Sequence, residues 1–133
     1  EFCGINSFSE PAKIDFLKLT EFGIFGIFGD TGSGKSTILD CIGFALYGNI
    51  ARSRSGSIAD VIHYASDKAY VHFEFEIEFD GARRTYRVER ELKRKNAAQS
   101  LKVYEQKENS WLIVARRTIP CTSYPFCSRN SAK

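Results

Sequence analysis

The sequence predicts an α/β fold in which a strand, a glycine-rich loop and a helix form the core, with an antiparallel sheet adjoining them. An apolar run over residues 24–28 leads directly into a loop with glycines at 29, 32 and 34. Apolar residues then recur at three- and four-residue spacing, which is typical of a helix. Further along, residues 70–79 alternate strictly between apolar and polar or charged side chains, which predicts a strand with one buried face.

The loop carries the chemistry that the sequence shows most clearly. It reads Gly-Asp-Thr-Gly-Ser-Gly-Lys-Ser-Thr and fits the P-loop pattern G-x-x-x-x-G-K-[ST]. Glycines let a backbone approach phosphates closely, and the following helix adds unpaired N–H groups and the positive end of its dipole. We therefore predict a nucleoside triphosphate site. Its candidate binding residues are Gly29, Asp30, Thr31, Gly32, Ser33, Gly34, Lys35, Ser36 and Thr37.

Three side chains of this loop have predicted roles. Lys35 is the candidate catalytic residue, because its ammonium would reach the β- and γ-phosphates. The hydroxyl of Ser36 is the candidate Mg²⁺ ligand, and Thr37 could contact the α-phosphate.

The helix after the loop is predicted to run to about Tyr47 and to end at Gly48 and Asn49. Cys41 within it is expected to be a small buried apolar residue. The spacing predicts one apolar face made of Ile38, Leu39, Ile42, Ala45 and Leu46.

The segments around this core are predicted less sharply. Residues 2–8 and 13–17 are expected to form a hairpin of two strands, and residues 24–28 a buried strand. The small, polar and basic residues 50–58 indicate a surface loop. Arg52 or Arg54 in this loop is either solvated or contacts a phosphate. Ser57 is a candidate cap for a short helix over residues 58–65.

The remaining strands are predicted from alternation. Strand 70–79 should pair with strand 84–92 through a turn at Asp80-Gly81, with glutamates facing arginines on the wet side. That spacing makes Glu74, Glu76 and Glu78 a solvated sheet face and not catalytic carboxylates. A further hairpin is expected around residues 107–109. The basic residues 93–95 lie at a turn, where they are either solvated or meet a DNA backbone.

Composition limits the classes of protein without choosing among them. The chain has 133 residues, the size of one domain, and 43% hydrophobic residues, enough for a core. No apolar run is long enough for a membrane span and no signal peptide is evident, so we expect a cytoplasmic protein without a membrane partner. Its four cysteines form no C-x-x-C pair, which disfavours a metal site. Because methionine is absent, we expect that residue 1 is not a native start.

Residues 27–48 read Ile-Phe-Gly-Asp-Thr-Gly-Ser-Gly-Lys-Ser-Thr-Ile-Leu-Asp-Cys-Ile-Gly-Phe-Ala-Leu-Tyr-Gly. This stretch closely resembles the P-loop of the SbcC family, the ATPase subunits of bacterial SbcCD nucleases, which are related to SMC-like repair ATPases. The resemblance extends over about residues 3–115. It implies an ABC-ATPase-like fold, with residues 1–115 as the N-terminal lobe of a split head. Residues 116–133 are expected to be an irregular tail, truncated or out of frame.

The same resemblance implies cofactors and partners. ATP and Mg²⁺ would bind between two heads in an ATP-dependent head-to-head homodimer. A C-terminal lobe of the same protein would supply the Q-loop, signature, Walker B and switch residues. An SbcD-like nuclease subunit and duplex DNA would be the partners, with cutting of double-strand ends and hairpins as the activity.

Two alternatives stay open at this point. The chain could belong to another P-loop ATPase, either SMC-like or RecF-like or from an ABC transporter. It could also be a module that binds nucleotide without turning it over, since no apolar strand here ends in a Walker B Asp-Glu pair.

Overall fold

The computed structural model describes residues 1–21, 23–50 and 57–120, and shows an antiparallel sheet beside one long helix. The strands pair in sequence order and the edge strands are the first and the last. They are β1 (Phe2–Cys3), β2 (Lys68–Phe79), β3 (Ala82–Lys93), β4 (Gln99–Lys107) and β5 (Ser110–Ile119). The helices are α1 (Phe16–Leu19) and α2 (Lys35–Tyr47), with a 3₁₀ turn at Ile58–Val61. No described helix is long and apolar enough to cross a membrane.

The β2–β3 hairpin is confirmed. Its two strands pair from Lys68 opposite Lys93 to Phe79 opposite Ala82, with the turn at Asp80-Gly81. On the outer face, the Arg87 guanidinium lies 2.7 Å from the Glu74 carboxylate. The carboxylates of residues 74, 76 and 78 belong to exposed residues, as predicted. Exposed cross-strand pairs contribute about 0.2–1 kcal/mol each, so their main effect is to fix the register.

The β4–β5 hairpin is also confirmed, and β5 is longer than expected. Arg117 pairs with Leu101, and Ile119 pairs with Gln99. The strand therefore continues past Ala115, where the sequence pattern ends, because β4 supplies backbone hydrogen-bond partners whatever the side chains are. Residues 121–133, the rest of the expected tail, lie outside the described residues.

The hydrophobic core lies between α2 and the sheet. Its centre is Phe44 of α2, packed with Leu92 of β3 and Ile5, all three fully buried. The other buried hydrophobic members are Phe2, Cys41, Ala45, Ile50, Val61, Ile62, Ala69, Val71 and Val88. The helix is thus held by apolar packing along one side, which is the usual source of helix stability in proteins.

The predicted apolar face of α2 is partly wrong. Ala45 is buried and Ile38 packs against the core, but Leu39 is 65% exposed and Leu46 is also exposed. The helix turns a different stripe to the sheet, made of Thr37, Cys41, Phe44 and Ala45. Because α2 is apolar on more than one side, periodicity could not decide which side faces this sheet.

The buried strand expected at residues 24–28 is not formed. These residues carry no strand pairing in the described chain, and Ile24 is 88% and Phe28 91% exposed. A strand that is apolar throughout needs hydrogen-bonded neighbours on both sides and cover on both faces. The five described strands pair with each other and supply neither to this run.

The expected N-terminal hairpin is formed only in its first part. Phe2 and Ala12 exchange two backbone hydrogen bonds of 2.9 and 2.8 Å, so the chain does return antiparallel. The second strand, expected at residues 13–17, is wrong, because Phe16–Leu19 form helix α1. The Asp15 side chain accepts a hydrogen bond from the backbone N–H of Lys18 and caps this turn.

The connection before β2 is fixed by two polar side chains. Ser57 caps the 3₁₀ turn by accepting from the backbone N–H of Ala59, as predicted, although the helix is shorter than expected. Arg94, in the turn after β3, donates to the carbonyls of Ile62, His63 and Ser66 at 2.8–3.0 Å. Its guanidinium therefore holds two connections together.

We predict that Arg94→Met lowers the free energy of unfolding by about 1–3 kcal/mol, because partly buried carbonyls lose a charged donor. Urea unfolding followed by circular dichroism would measure it. Lys95→Met, at the exposed neighbouring residue, is the matched control and should leave the midpoint in place. Equal midpoints for both variants would contradict the assignment of Arg94 as a connector.

Candidate functional site

The glycine-rich loop ends in a tight turn that leads into α2. The backbone N–H of Ser33 donates to the carbonyl of Asp30 at 3.2 Å, and Gly34 caps the helix with φ 87°. A Cβ at Gly34 would lie 2.6 Å from the ring of Phe8. Residue 34 must therefore be glycine for two reasons: its left-handed backbone and the ring packed against it.

Lys35, the first residue of α2, folds back over this loop. Its Nζ donates to the carbonyls of Gly29 and Asp30, each at 2.6 Å, and to Ser33 Oγ at 3.4 Å. The loop therefore curls around the ammonium, and its carbonyls partly neutralise that charge. The structure thus brings together four of the predicted site residues, which are 29, 30, 33 and 35.

The first turn of α2 presents Ser36 and Thr37 differently. Ser36 is exposed at the end of the helix where backbone N–H groups lack intrahelical partners. Thr37 is only 5% exposed, and its Oγ1 accepts a hydrogen bond of 3.4 Å from Asn6 Nδ2. The Thr37 hydroxyl is therefore engaged with the N-terminal segment in this structure. Thr31 and Gly32 form the exposed outer bend of the loop.

Two residues at this site were not predicted from the sequence. Asn6 reaches the Thr37 hydroxyl, and the ring of Phe8 packs against Gly34. Asn6 has φ 47°, a left-handed conformation that asparagine tolerates better than most residues. Nothing in the spacing of residues 2–8 indicated that this segment would reach the start of α2.

Cys41 lies one turn further along α2 and is buried, as predicted. Burial raises the pKa of its thiol to about 12, because the thiolate would lose its hydration. The group is therefore neutral at physiological pH and acts as a packing residue. No cluster of three or more His, Cys, Asp or Glu side chains that could hold a metal occurs among the described residues.

An open groove of about 560 Å³ lies between α2, the segment 13–17 and the sheet. Its walls are the segment 13–17, the helix and the first halves of β2 and β3. Apolar and charged side chains mix in its lining, including Ile14, Ile38, Ile42, Phe73, Glu74 and Arg87. Arg87 and Glu74 pair with each other at 2.7 Å, so the charges of these two lining residues offset each other.

The sequence offered two groups of basic residues for contact with phosphate: the arginines of the loop 50–58 and the basic residues 93–95. Arg52 and Arg54 lie outside the described residues. Within the turn after β3, Arg94 is engaged with three backbone carbonyls and Lys93 lies 4.0 Å from Glu91. Lys95 is exposed. The turn is therefore a weaker basic patch than its sequence suggests.

Comparison with known proteins is consistent with the loop geometry. The family described as an AAA domain matches residues 1–119. The SbcC protein of the SbcCD nuclease from Clostridium acetobutylicum is 46% identical over 99 residues, which is 74% of this chain and 8% of that protein. The protein of the same name from Bacillus subtilis is 43% identical over 91 residues, 68% of this chain and 8% of that protein.

A third relative comes from Aquifex aeolicus and is named a probable DNA double-strand break repair Rad50 ATPase. It is 33% identical over 106 residues, which is 80% of this chain and 10% of that protein. The chain thus spans about a tenth or less of the length of these relatives. It belongs to the AAA-domain family of P-loop NTPases, and its sequence is SbcC-like.

Proposed function

We propose that this chain is the ATP-binding N-terminal lobe of an SbcC-like ATPase. The observation that carries the proposal is the Lys35 ammonium, which lies over a glycine-rich loop at the amide end of α2. A positive side chain, a flexible backbone and a helix N-terminus converge there, and each favours a phosphate. The SbcC and Rad50 relatives support ATP as the nucleotide.

The hydrogen bonds of Lys35 suggest how it would receive a phosphate. An ammonium has three donors. Two make short bonds of 2.6 Å to the carbonyls of Gly29 and Asp30, and the third makes a long bond of 3.4 Å to Ser33 Oγ. The long bond is the weakest, so a β- or γ-phosphate oxygen would replace Ser33 while the two carbonyls keep Nζ in place.

The remaining loop residues fit the other needs of the nucleotide. Gly29, Asp30, Thr31, Gly32, Ser33 and Gly34 would contribute backbone N–H groups around the phosphates. The exposed hydroxyl of Ser36 is a hard oxygen of the kind that Mg²⁺ prefers. Bound Mg²⁺ would neutralise charge on the phosphates. Thr37 would contact the α-phosphate once its hydroxyl turns from Asn6.

We assign hydrolysis to the assembled head and not to this lobe by itself. Turnover needs a group that orients the attacking water, and the sequence shows Lys35 and Ser36 but no apolar strand that ends in the Asp-Glu pair of a Walker B motif. Among the described residues, Glu74 pairs with Arg87 on the outer face of the sheet. A C-terminal lobe of the same protein would supply the missing groups, in an ATP-dependent head-to-head homodimer.

Exposed apolar surface supports the proposal of a second lobe. Ile24 and Phe28 before the loop and Leu39 on α2 are largely exposed, although all three are strongly apolar. Several large apolar side chains that are exposed in one short run and on the helix after the loop favour a surface that another protein part covers. The C-terminal lobe would cover them and give the run 24–28 the neighbouring strands that it lacks here.

The names of the relatives extend the proposal to DNA. The Clostridium and Bacillus relatives are named as a nuclease subunit, and the Aquifex relative is named for DNA double-strand break repair. On the family resemblance, the full-length protein would act with an SbcD-like nuclease subunit on double-strand ends and hairpins of duplex DNA, in repair and recombination in the cytoplasm. DNA contacts by the turn after β3 would rest on Lys93 and Lys95, since Arg94 is engaged with backbone carbonyls. The lobe, expected over residues 1–115, would extend to Ile119, where β5 ends, and the expected tail would be confined to the residues after it.

Two other functions remain as alternatives. A Bacillus subtilis protein named Chromosome partition protein Smc is 42% identical over 65 residues, which keeps an SMC-like ATPase open. A lobe that binds nucleotide without hydrolysis is the second, and the isolated chain would behave in that way. A RecF-like or ABC transporter ATPase is favoured by no described feature.

We predict that Lys35→Ala lowers the affinity of the intact head for Mg·ATP by about 10- to 150-fold, since a charged hydrogen bond of about 1.5–3 kcal/mol is lost. Isothermal calorimetry would measure the change, with Lys95→Ala as the matched control that removes an exposed lysine. Unchanged binding by Lys35→Ala would refute the role of this residue.

We further predict that the purified 133-residue chain releases no phosphate from ATP above background, and that adding a C-terminal lobe restores turnover. The assay is phosphate release over several hours, with the Lys35→Ala chain as the blank. Multiple turnovers by the chain alone that vanish in the blank would show that it holds a complete catalytic site.

A further inference from the structure

A buried polar pair lies at the carbonyl end of α2, away from the loop. Arg90 of β3 is 3% exposed, and Gln99 of β4 is 0% exposed. Arg90 Nη1 donates to Gln99 Oε1 at 3.2 Å. The two side chains therefore join neighbouring strands of the sheet beneath the helix, in a place where most side chains are apolar.

Both members of this pair also bind the end of α2. Arg90 Nε donates to the carbonyl of Ala45 at 3.1 Å, and Gln99 Nε2 donates to the carbonyl of Gly48 at 2.9 Å. The Arg90 guanidinium lies 5.7 Å from the centre of the Phe44 ring. The last turn of a helix exposes carbonyls without intrahelical partners and carries the negative end of the dipole. A guanidinium and an amide are well matched to it.

The fit at this end is close enough to fix the helix position. Gly48 ends the helix with φ 73°, and a Cβ there would lie 2.7 Å from Arg90 Nη1 and 3.0 Å from Gln99 Oε1. Apolar packing by Phe44 and Ala45 can slide, since it has no preferred direction. Hydrogen bonds of fixed geometry cannot, so the pair sets the rotation and the height of α2 on the sheet.

The other end of the same helix directly follows the glycine-rich loop. α2 has 13 residues and is about 20 Å long at 1.5 Å per residue. A helix of this length is stiff, so a change of its angle at Gly48 moves Lys35 and Ser36 at the far end. The position of the loop relative to the sheet therefore depends on the residues that hold the carbonyl end.

We propose that Arg90, with Gln99, is a positioning residue for the phosphate site and acts on it through α2. The proposal rests on the proposed function in one respect, which is that the glycine-rich loop is taken to bind a phosphate. A buried arginine is also a costly way to gain stability, because replacing buried charged groups by apolar ones is often neutral or stabilising. The hydrogen bond of Arg90 to the end of the helix therefore favours a role in orienting α2 over a role in adding stability.

The test separates positioning from stability by hydrogen–deuterium exchange on the 133-residue chain without nucleotide. Arg90→Met and the double variant Arg90→Met/Gln99→Leu should speed exchange of the amides of residues 37–41 by about two- to thirtyfold. The central amides of the β2–β3 hairpin should keep their wild-type rates. Arg90→Lys keeps the charge but not the planar fork, so it should restore part of the protection.

The double variant removes both buried polar side chains, so neither side chain is left without its partner. The carbonyls of Ala45 and Gly48 still lose their donors, so the amides of the β2–β3 hairpin serve as the check on global folding. Leu39→Ala, on the exposed side of α2, is the matched control and should leave exchange unchanged in the hairpin and at the amides of residues 37, 38 and 41. The amides of residues 39 and 40 are left out of this comparison, because the substitution changes their intrinsic rates. Wild-type exchange rates at residues 37–41 in Arg90→Met and in the double variant would overturn the proposal. An equal rise in the hairpin would overturn it too, since that is loss of global stability.

A second measurement connects the inference to the nucleotide. In Mg·ATP titrations of the same proteins, the dissociation constant should rise about two- to thirtyfold in Arg90→Met and less in Arg90→Lys. Lys35→Ala gives the affinity that remains without the lysine contact. If the wild-type chain binds no better than Lys35→Ala, the proposed function of the isolated chain fails, while the exchange experiment still decides the role of Arg90.

Discussion

The structure depends on how α2 is held. Its carbonyl end is fixed by Arg90 and Gln99, and Phe44, close to that end, lies in the core. At the amide end, Thr37 is buried and Ser36 is exposed. Backbone groups at both ends of a helix need partners. Here the sheet supplies partners for the carbonyls of Ala45 and Gly48, whereas the amide end of the helix adjoins the exposed bend of the glycine-rich loop. This polarity places a positive helix end where an anion can reach it.

The antiparallel sheet could be predicted from the sequence because its signal is local. Alternation along β2, the turn at Asp80-Gly81 and the opposition of glutamates and arginines each concern residues close in sequence. The loop and its helix were predictable for the same reason. Gly34 needs a left-handed backbone, and Gly48 ends α2 in one as the sequence indicated. In these parts, the structure is determined by residues that are close in sequence, so the sequence pattern predicts it.

The parts that could not be predicted depend on contacts between distant residues. Arg94 looked like a solvated charge, yet it binds carbonyls about thirty positions earlier in the chain. Arg90 fitted the alternation of β3, but alternation does not show that a buried position can hold a guanidinium that pairs with a helix end. Asn6 reaches Thr37 across a similar distance in sequence. A single sequence carries no pattern for such pairs, because each depends on the complete fold.

The buried strand predicted at residues 24–28 and the predicted apolar face of α2 failed for a different reason, which is the same for both. A run without polar residues must be covered on both faces, and a helix with apolar residues all round must be covered on all sides. The sheet covers one side of α2 and leaves Leu39 exposed, while Ile24 and Phe28 remain exposed next to the loop. Both patterns describe a more enclosed environment than the described residues provide. The local pattern and the local structure disagree where the glycine-rich loop begins. A second lobe, as proposed above, would cover these two segments as well as complete the proposed site.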